Sequence, residues 1–524
     1  MLTRTRRIVQ GLFLALFLFL FIQTESKGLD ELGYPVKLFL DFDPLIFLTT
    51  LLASRAVEGL FWLSLIIVGL TVLLGRFFCG WVCPLGTLNN IAGSLRKKKR
   101  SKPPGAGWFR LKYYILAFVL ASSVFGAQLA GVVDPISLTI RSFSLAVYPA
   151  LSYAATSFFD GIYRLNLPGV TPASEILYDV LKKTVLPFQQ PWFLQGVFIG
   201  SLFLAVLGLN LVQRRFWCRF LCPLGALLGL LSRHAVLRRE VSEECDSCGA
   251  CAGVCQADAL PADREKWRAS ECLVCNICDD VCPKNAVSFG FLKGRPTGGL
   301  DLGRRNVVSA FLSGAFAVPL LRISPLARPR MSDAKLIRPP GALEEPKFLQ
   351  TCVRCGECMK VCITGGLQPT LLEAGLEGLW TPVLVPRIGF CEFRCTLCGQ
   401  VCPTGAIKRL PLEEKQQVRL GHAAIDKGRC LPFAHATPCI VCEETCPTPK
   451  KAIWIEEVTV RDREGNPIRL QQPHVDLTKC IGCGACEKHC PVADQPAIYV
   501  TSSGESRSEE NQLLLQAPTG SPYK

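Results

Sequence analysis

The stretch Cys272-Leu-Val-Cys275-Asn-Ile-Cys278-Asp-Asp-Val-Cys282-Pro283 carries the most information in this chain of 524 residues. Three of its cysteines are two residues apart, and the fourth follows after three more residues, just before a proline. The same spacing recurs in tetrads that begin at Cys245, Cys352 and Cys480. A C-x2-C-x2-C-x3-C run is the pattern that holds a [4Fe–4S] cubane. The repeated spacing therefore predicts an iron–sulfur protein.

Two further tetrads are stretched near their start, as Cys391-x3-Cys395-x2-Cys398-x3-Cys402 and Cys430-x8-Cys439-x2-Cys442-x3-Cys446. In two-cluster ferredoxins the fourth cysteine of one run ligates the neighbouring cluster, so the tetrads are expected to work in pairs. The predicted ligand sets are Cys245, Cys248, Cys251 with Cys282; Cys272, Cys275, Cys278 with Cys255; Cys352, Cys355, Cys358 with Cys402; Cys391, Cys395, Cys398 with Cys362; Cys430, Cys439, Cys442 with Cys490; and Cys480, Cys483, Cys486 with Cys446.

Disulfides and structural zinc are the alternatives for so many cysteines, of which the chain has 28. A disulfide framework is typical of a short secreted chain, and zinc sites use well-separated pairs of ligands rather than a triple C-x2-C-x2-C run. Six [4Fe–4S] clusters are therefore expected. So many one-electron carriers in one chain indicate a conduit for electrons rather than a pocket for a substrate.

The composition indicates a membrane protein, with 49% hydrophobic residues and a mean hydropathy of +0.29, which is too apolar for an ordinary soluble chain. Apolar runs that cross or nearly cross a bilayer are Ile8–Ile22, Gly59–Gly75, Tyr113–Val133 and Trp192–Val212, with a shorter fifth at Asn306–Leu321. The predicted fold class is an α-helical membrane bundle of four spans in two repeats plus a fifth, joined to α+β ferredoxin-like domains.

The formal net charge is +15, and its location indicates membrane topology rather than nucleic-acid binding. The stretch 76–112 holds nine Lys or Arg and no acid, whereas residues 24–58 carry six acids and three bases. The positive-inside rule then puts the N-terminus, 76–112 and 214–303 in the cytoplasm, and 24–58 and 134–191 outside. No small-residue cleavage site follows Ile22, so the first run is read as a retained span rather than a signal peptide.

The membrane region repeats itself. Arg76-Phe-Phe-Cys79-Gly-Trp-Val-Cys83-Pro follows the second run, and Arg215-Phe-Trp-Cys218-Arg-Phe-Leu-Cys222-Pro follows the fourth. A second repeated feature is the Asp-Pro pair, which occurs as Asp43-Pro44 and as Asp134-Pro135. Two such units predict a pseudo-twofold axis along the membrane normal.

The repeat makes Cys79, Cys83, Cys218 and Cys222 candidates for one shared iron or iron–sulfur centre, with zinc as the chemical alternative, because equivalent ends meet at a twofold axis and C-x3-C on a helix puts both thiols on one face. Small cysteines packed in an apolar core are the other interpretation. Asp43 and Asp134 are candidate proton acceptors for quinol at the external interface, and helix caps before proline are the alternative.

The predicted domains are a four-span membrane domain at residues 1–239, a cytoplasmic two-cluster ferredoxin at 240–295, a signal-like fifth span and linker at 296–346, a four-cluster ferredoxin at 347–503 and a disordered tail at 504–524. Arg304-Arg305 before the fifth run is typical of a twin-arginine export signal, and an amphipathic linker is the alternative. Export would place the four-cluster domain in the periplasm.

These motifs resemble two families. Residues 1–290, with two C-x3-C-P repeats and a pair of tetrads, resemble the NapH-type membrane quinol dehydrogenases, which are related to the C-terminal region of NosR. Residues 300–503 resemble the NapG/MauM-type periplasmic ferredoxins, most clearly at Cys391–Pro403 and Lys479–Pro491. The resemblance implies a fusion that passes electrons from the quinone pool through its clusters to a periplasmic redox partner, such as a nitrate reductase or a cytochrome c.

Two other functions stay open: a maturation or regulatory ferredoxin for a periplasmic enzyme, and quinone reduction from a cytoplasmic donor. The expected location is the cytoplasmic membrane, multi-pass, with the first ferredoxin domain inside and the second outside. None of the five histidines lies in a predicted span, and no C-x-x-C-H occurs, so haem ligation is not expected. A gap of roughly 30 Å of hydrocarbon would separate the two ferredoxin domains, so a carrier between them is expected.

Overall fold

The structure is a computed structural model that describes residues 2–26, 30–56, 61–95, 108–166, 169–187, 189–260, 267–291, 302–323, 334–461, 465–509 and 511. The residues outside this description include 57–60 at the second apolar run, 96–107 in the basic stretch 76–112, 324–333 in the linker before the four-cluster domain and 512–524 in the expected tail. Helices dominate the first 232 residues, and the cysteine tetrads lie in two regions of short helices and two-stranded sheets.

We call residues 2–232 together with Arg304–Ile323 the helical bundle. Its α-helices are Leu2–Gln23, Leu38–Asp41, Pro44–Ser54, Ser64–Leu74, Pro84–Ser94, Trp108–Val124, Ala130–Val133, Pro135–Ser142, Tyr148–Leu165, Val170–Thr184, Gly196–Val212, Pro223–Ser232 and Arg304–Ile323. Of the described helices, Thr3–Gln23 alone is both long and apolar enough to cross a membrane. The helices in the second, third and fourth expected spans have 11, 17 and 17 residues. The Ser64–Leu74 helix ends at Gly75, whose φ is +78°.

The two sequence repeats have the same local structure. Each C-x3-C segment forms a π-helical turn, Phe78–Val82 in the first repeat and Trp217–Leu221 in the second. The second cysteine of each pair leaves the turn with extended backbone, and a new helix begins at the following proline. The spacing predicted that each cysteine pair lies on one regular helix. Each pair instead lies at a break between two helices.

The two-cluster domain follows the bundle. Its strands Leu237–Val241 and Val287–Phe291 pair antiparallel, with Leu237 opposite Phe291. Between them lie the short helices Ala250–Val254 and Ile277–Asp280 and the 3-10 turn Ala269–Glu271. The tetrads thus sit in loops between two paired strands, which is the α+β arrangement expected for a ferredoxin.

The four-cluster domain has three antiparallel strand pairs: Leu367–Pro369 with Pro382–Leu384, His422–Ile425 with Ile498–Thr501, and Ile453–Arg461 with Pro467–Val475. Its helices are Glu345–Thr351, Glu357–Lys360, Leu397–Val401, Leu412–Gln417, Leu431–Ala434, Val441–Glu444 and Ala485–His489. The pairing of residues 422–425 with 498–501 joins the middle of this domain to its C-terminal end.

The beginning of the expected tail is ordered. Arg507 donates to Glu345 at 3.0 Å, and Arg338 binds the other side of the same carboxylate. Burial would raise the pKa of Glu345, but the two arginines together lower it to about 2. This ion pair holds residues 505–507 against the start of the four-cluster domain, so the ordered region extends a few residues beyond the predicted boundary.

The two-cluster domain docks on the end of the bundle that carries the C-x3-C segments. The Trp81 indole donates to the Val274 carbonyl at 2.9 Å. A Cβ added to Gly80 would lie 2.3 Å from the Leu273 carbonyl oxygen, so the two backbones touch. Leu273 also belongs to the main apolar core of the bundle. The Cys272–Cys275 loop of this domain therefore packs directly on the segment between Cys79 and Cys83.

The four-cluster domain docks on the opposite end. A Cβ added to Gly131 would lie 2.0 Å from the Val353 carbonyl oxygen. Arg141 donates to the carbonyls of Gly131 at 2.9 Å and of Arg354 at 3.1 Å. Val353 and Cys355 belong to the apolar core of the bundle. In each docking contact, a glycine of the bundle therefore packs against the residue that follows the first cysteine of a tetrad.

The helix Leu2–Gln23 reaches from one docked domain to the other. Near its start, Thr3 donates to Asp280 of the two-cluster domain. At its end, the Lys360 ammonium of the four-cluster domain donates to the carbonyls of Phe21 and Thr24. Its 22 residues span about 33 Å at 1.5 Å per residue. The two ferredoxin domains are therefore held apart by one helix length.

The helix Arg304–Ile323 joins the two domains along the bundle side. It runs parallel to Trp108–Val124, because Asn306 lies against Tyr114 near its start and Arg322 donates to the Gly126 carbonyl at its end. The approach is close: a Cβ on Gly314 would lie 2.3 Å from the Phe118 carbonyl oxygen. The segment expected as a fifth span is thus an integral helix of the bundle.

Replacing Gly131 with alanine should loosen the docking of the four-cluster domain, since the added methyl group has no space beside Val353. Overpacking of this kind costs about 1–3 kcal/mol. Faster amide exchange around residues 352–356 is the expected result by hydrogen–deuterium exchange. Gly208→Ala is the matched control, because a Cβ there meets nothing within 4 Å. Equal exchange in both variants would show that this contact does not hold the domain.

Candidate iron–sulfur sites

Each predicted ligand set of the four-cluster domain lines a cavity of its own. In every case the fourth cysteine comes from the other tetrad of the pair, as the crossover pattern predicts. The cavities are lined by Cys352, Cys355, Cys358 and Cys402; by Cys362, Cys391, Cys395 and Cys398; by Cys430, Cys439, Cys442 and Cys490; and by Cys446, Cys480, Cys483 and Cys486.

The backbone around these cavities also provides hydrogen bonds to sulfur. The amides of Ile407, Ala423 and Ala497 donate to the sulfurs of Cys402, Cys480 and Cys490, each at 3.4 Å. Hydrogen bonds to cluster sulfurs are one of the factors that set the reduction potential of a [4Fe–4S] centre. The apolar segments that follow the tetrads therefore place amides where they can adjust cluster potentials.

Free thiolates would not be stable in these cavities. Burial, together with the neighbouring thiolates of Cys430 and Cys439, raises the pKa of the Cys442 thiol to about 12. Iron supplies the positive charge that allows four thiolates to lie together, and a cluster fits the donor set better than four free thiols do. The cavities, the donor type and the buried surroundings all suit [4Fe–4S] cubanes.

The two-cluster domain is less uniform. Cys255 lies within electrostatic range of Cys272, Cys275 and Cys278, as its predicted crossover set requires. In the other set, Cys245 and Cys248 are exposed to solvent. The amides of Ala259 and Ala286 donate at 3.3 Å to the fourth cysteines, Cys255 and Cys282. The better-enclosed set is the one that faces the bundle.

The cysteines of the bundle, Cys79, Cys83, Cys218 and Cys222, form a buried quartet. Their thiols lie within electrostatic range of one another. The two repeats interlock here. Arg215 of the second repeat donates to the Cys79 carbonyl at 3.1 Å, and a Cβ on Gly225 would lie 2.8 Å from Nη2 of Arg76. The pseudo-twofold arrangement thus brings both C-x3-C pairs to one place.

Among the residues that the structure describes, no three His, Cys, Asp or Glu side chains form a group that could hold a single metal ion. The quartet therefore does not fit one mononuclear iron or zinc ion as it stands. The same holds for the cysteines that line the four cavities of the four-cluster domain.

Asp43 and Asp134 cap helices rather than line an external surface. Asp43 accepts from the amides of Leu45 and Ile46, and Asp134 accepts from those of Ile136 and Ser137. Both side chains are fully buried, and their carboxyl groups lie within hydrogen-bond reach of each other. The geometry provides the alternative interpretation, helix caps before proline. A role in proton transfer stays a prediction.

A buried polar network at the quartet end escaped sequence reasoning. Glu271, which precedes Cys272, accepts hydrogen bonds from Arg76, Lys112 and Tyr113. The carboxylate joins the two-cluster domain to both repeats, since Arg76 precedes the first C-x3-C pair and Lys112 lies just before the third apolar run. In the sequence, the basic residues indicate membrane topology and do not indicate this network. The one sign of the network in the sequence is Glu271, an acid next to a predicted cluster ligand.

Comparison with known proteins supports the presence of iron–sulfur sites. A family model described as "4Fe-4S binding domain" matches residues 55–103 and 195–242, and a second model of the same description matches residues 473–493. The first model covers both C-x3-C segments of the bundle. No solved structure matches the chain significantly.

Among curated proteins, the methylamine utilization ferredoxin-type protein MauM of Methylorubrum extorquens is 42% identical over 32% of this chain and 74% of its own length. The ferredoxin-type protein NapG of Escherichia coli is 38% identical over 34% of this chain and 76% of its own length. The ferredoxin-type protein NapH of Haemophilus influenzae is 28% identical over 47% of this chain and 74% of its own length.

The chain therefore belongs to the MauM/NapG family of ferredoxin-type proteins, joined in one polypeptide to a NapH-type region. It is an iron–sulfur electron-transfer protein with [4Fe–4S] binding domains. The predicted fusion of these families is confirmed.

The cavities predict which cysteines share a cluster. Cys402→Ser combined with Cys352→Ser should remove one cluster, about four irons, because both residues line one cavity. Cys402→Ser combined with Cys391→Ser should remove two clusters, about eight irons, since these residues line different cavities. Iron and sulfide analysis of the purified variants measures the difference. The reverse result would mean that each tetrad ligates its own cluster.

Proposed function

We propose that this protein oxidises quinol in the cytoplasmic membrane and passes the electrons through six [4Fe–4S] clusters to a periplasmic redox partner. In this reaction quinol loses two electrons and two protons and becomes quinone; the electrons enter the clusters one at a time, and the protons go to water. The residues proposed to hold the clusters are the six crossover cysteine sets. The partner is a separate redox protein, such as a reductase or a cytochrome c.

The observation that carries the proposal is the docking of two ferredoxin domains at opposite ends of one bundle. At each end a ligand loop touches the bundle backbone, at Leu273 and at Val353. A scaffold or regulator gains nothing from such contacts, but an electron path needs them. NapH-type and NapG-type relatives are separate proteins, and their joining in one chain keeps donor and acceptor clusters on one bundle.

The cysteine quartet is proposed as a further iron–sulfur centre on this path. It lies against the Cys272–Cys275 loop, because Gly80 and Trp81, between Cys79 and Cys83, touch Leu273 and Val274. It is also within electrostatic range of Asp134, which lies three residues beyond the Gly131 contact with the other domain. A centre here shortens the distance that electrons must cross between the two domains.

The proposed topology is multi-pass, with the two-cluster domain in the cytoplasm and the four-cluster domain in the periplasm. Support comes from the parallel course of Trp108–Val124 and Arg304–Ile323, which both run from the two-cluster end to the four-cluster end. Both ends of the stretch 76–112, which holds nine Lys or Arg and no acid, lie at the two-cluster end. The signal-like segment then remains as a span after export.

Quinol should reduce the clusters of the purified protein. Adding menadiol or decylubiquinol anaerobically to the oxidised protein is expected to produce the electron paramagnetic resonance signals of reduced [4Fe–4S] clusters. NADH is the control donor and should give none, because the chain has no nicotinamide or flavin fingerprint. Reduction by a cytoplasmic ferredoxin with no response to either quinol would instead favour electron flow toward quinone.

Replacing all four quartet cysteines with serine should remove iron and sulfide while the spectra of the six cubanes persist. The physical reason is that the quartet is separate from the other ligand sets. Iron and acid-labile sulfide per chain, measured for the wild type and the quadruple variant, give the answer. About 24 irons in both proteins would mean that only the six cubanes exist.

A further inference from the structure

A cavity lies at the two-cluster end of the bundle, beside the cysteine quartet. Its volume is about 460 Å³, which is in the usual range for a small-molecule site. Three segments of the chain form it: the start of the Leu2–Gln23 helix, the Pro84–Ser94 helix, and the basic pair Arg214 and Arg215. Gln256, the residue after Cys255, closes it from the two-cluster domain.

Two buried guanidinium groups line this cavity without enough partners. Arg6 is 0% exposed, and its Nε and Nη1 have no hydrogen-bond partner. Arg215 is 1% exposed; it donates to the Cys79 carbonyl through Nη1, while Nε and Nη2 have no partner. Buried donors in a folded protein are almost always satisfied. No carboxylate of the described residues lines the cavity, so these donors point to a ligand with oxygen acceptors.

Part of the cavity lining is apolar and reaches exposed residues of the bundle. Gly11, Leu14 and Ile91 form it. Ile91 is half exposed, and Ile8 and Leu12 of the same N-terminal helix as Gly11 are also exposed. Of the described helices, this is the one that is long and apolar enough to cross a membrane. A ligand with a polar head and a long apolar tail fits a site with this opening.

Redox-active groups adjoin the cavity on two sides. Asn89, which lines it, donates to the Cys218 sulfur at 3.8 Å and accepts from Asn210. Gln10, which also lines it, donates to the carbonyl of Gly80 between the quartet cysteines. Arg6 is within electrostatic range of Cys275. The cavity thus lies between the quartet and the better-enclosed cluster set of the two-cluster domain.

We propose that this cavity binds the ring of an isoprenoid quinone or quinol, with the ring oxygens accepting from Arg6 and Arg215 and the tail leaving past Gly11 and Leu14. The inference rests on the proposed function and gives its site. An anionic phospholipid would also satisfy the guanidinium groups. The contacts with Cys218 and with the Cys79–Cys83 loop favour a redox ligand, because a lipid headgroup has no need of them.

The site differs from the one expected at Asp43 and Asp134. Those acids are fully buried and serve as caps, so a quinol has no surface to approach there. The quinone site is therefore on the cytoplasmic side of the proposed topology, and the electrons travel across the bundle after the quinol is oxidised.

Gly11→Leu tests the site, because a Cβ at Gly11 meets nothing within 4 Å and a larger side chain would fill the cavity without disturbing the helix. Gly208→Leu is the matched control: that helical glycine also meets nothing within 4 Å and does not line the cavity. Binding is measured through quenching of the fluorescent quinol analogue heptyl-hydroxyquinoline N-oxide by the purified full-length protein.

We expect Gly11→Leu and Arg6→Gln to weaken binding of the analogue roughly tenfold or more, and Gly208→Leu to leave it unchanged. Equal binding by the wild type and Gly11→Leu would overturn the proposal. Native mass spectrometry that finds an anionic phospholipid which decylubiquinone does not displace, together with loss of that lipid in Arg6→Gln, would also overturn it in favour of a lipid site.

The proposal and the proposed function can fail separately. If decylubiquinol reduces the clusters of Gly11→Leu at the wild-type rate, the protein is a quinol dehydrogenase whose site lies elsewhere. If neither menadiol nor decylubiquinol reduces the wild type, quinol oxidation itself is wrong, whatever binds in the cavity.

Discussion

Backbone contact between the cluster loops and the two ends of the bundle is the constraint on which the rest of the structure depends. A glycine stands at each contact, Gly80 against Leu273 and Gly131 against Val353, because no side chain fits between the two backbones. These contacts bring the loops that carry the cluster-ligand cysteines into van der Waals contact with the backbone of the bundle. Without them the two ferredoxin domains would be held to the bundle mainly by the connecting chain.

The same constraint explains the charges that are buried at the contacts. Removing an ion from water is costly unless it is paired and hydrogen-bonded. Glu271 is paired with Arg76 and Lys112, and Arg354 donates to carbonyls of both the bundle and its own domain. Such networks fix one docking geometry, since any shift would leave a buried charge without its partner. Arg6 and Arg215 depart from this pattern, and their unpartnered donors are what identify the large cavity.

Local spacing predicted the cysteine grouping, because a cubane fixes the distances among its ligands and the chain must respect them. Cys402, for example, lines the cavity of the Cys352 set, as the crossover pattern requires. The repeat also predicted that the quartet would converge. Contacts between distant segments could not be predicted in this way: the π-helical turn at Phe78–Val82 and the parallel packing of Arg304–Ile323 depend on neighbours that no local pattern reveals. The burial of Asp43 also depends on contacts between distant segments and could not be predicted from the local pattern.

The most direct test of the account is a density map of the intact, cluster-loaded protein in a lipid nanodisc, obtained by electron cryo-microscopy. The account predicts that the bundle lies in the disc, with the two-cluster domain on one face and the four-cluster domain on the other, and with strong density for iron in the cysteine-lined cavities. A map in which both ferredoxin domains lie on the same face, or in which either domain is detached from the bundle, would contradict it.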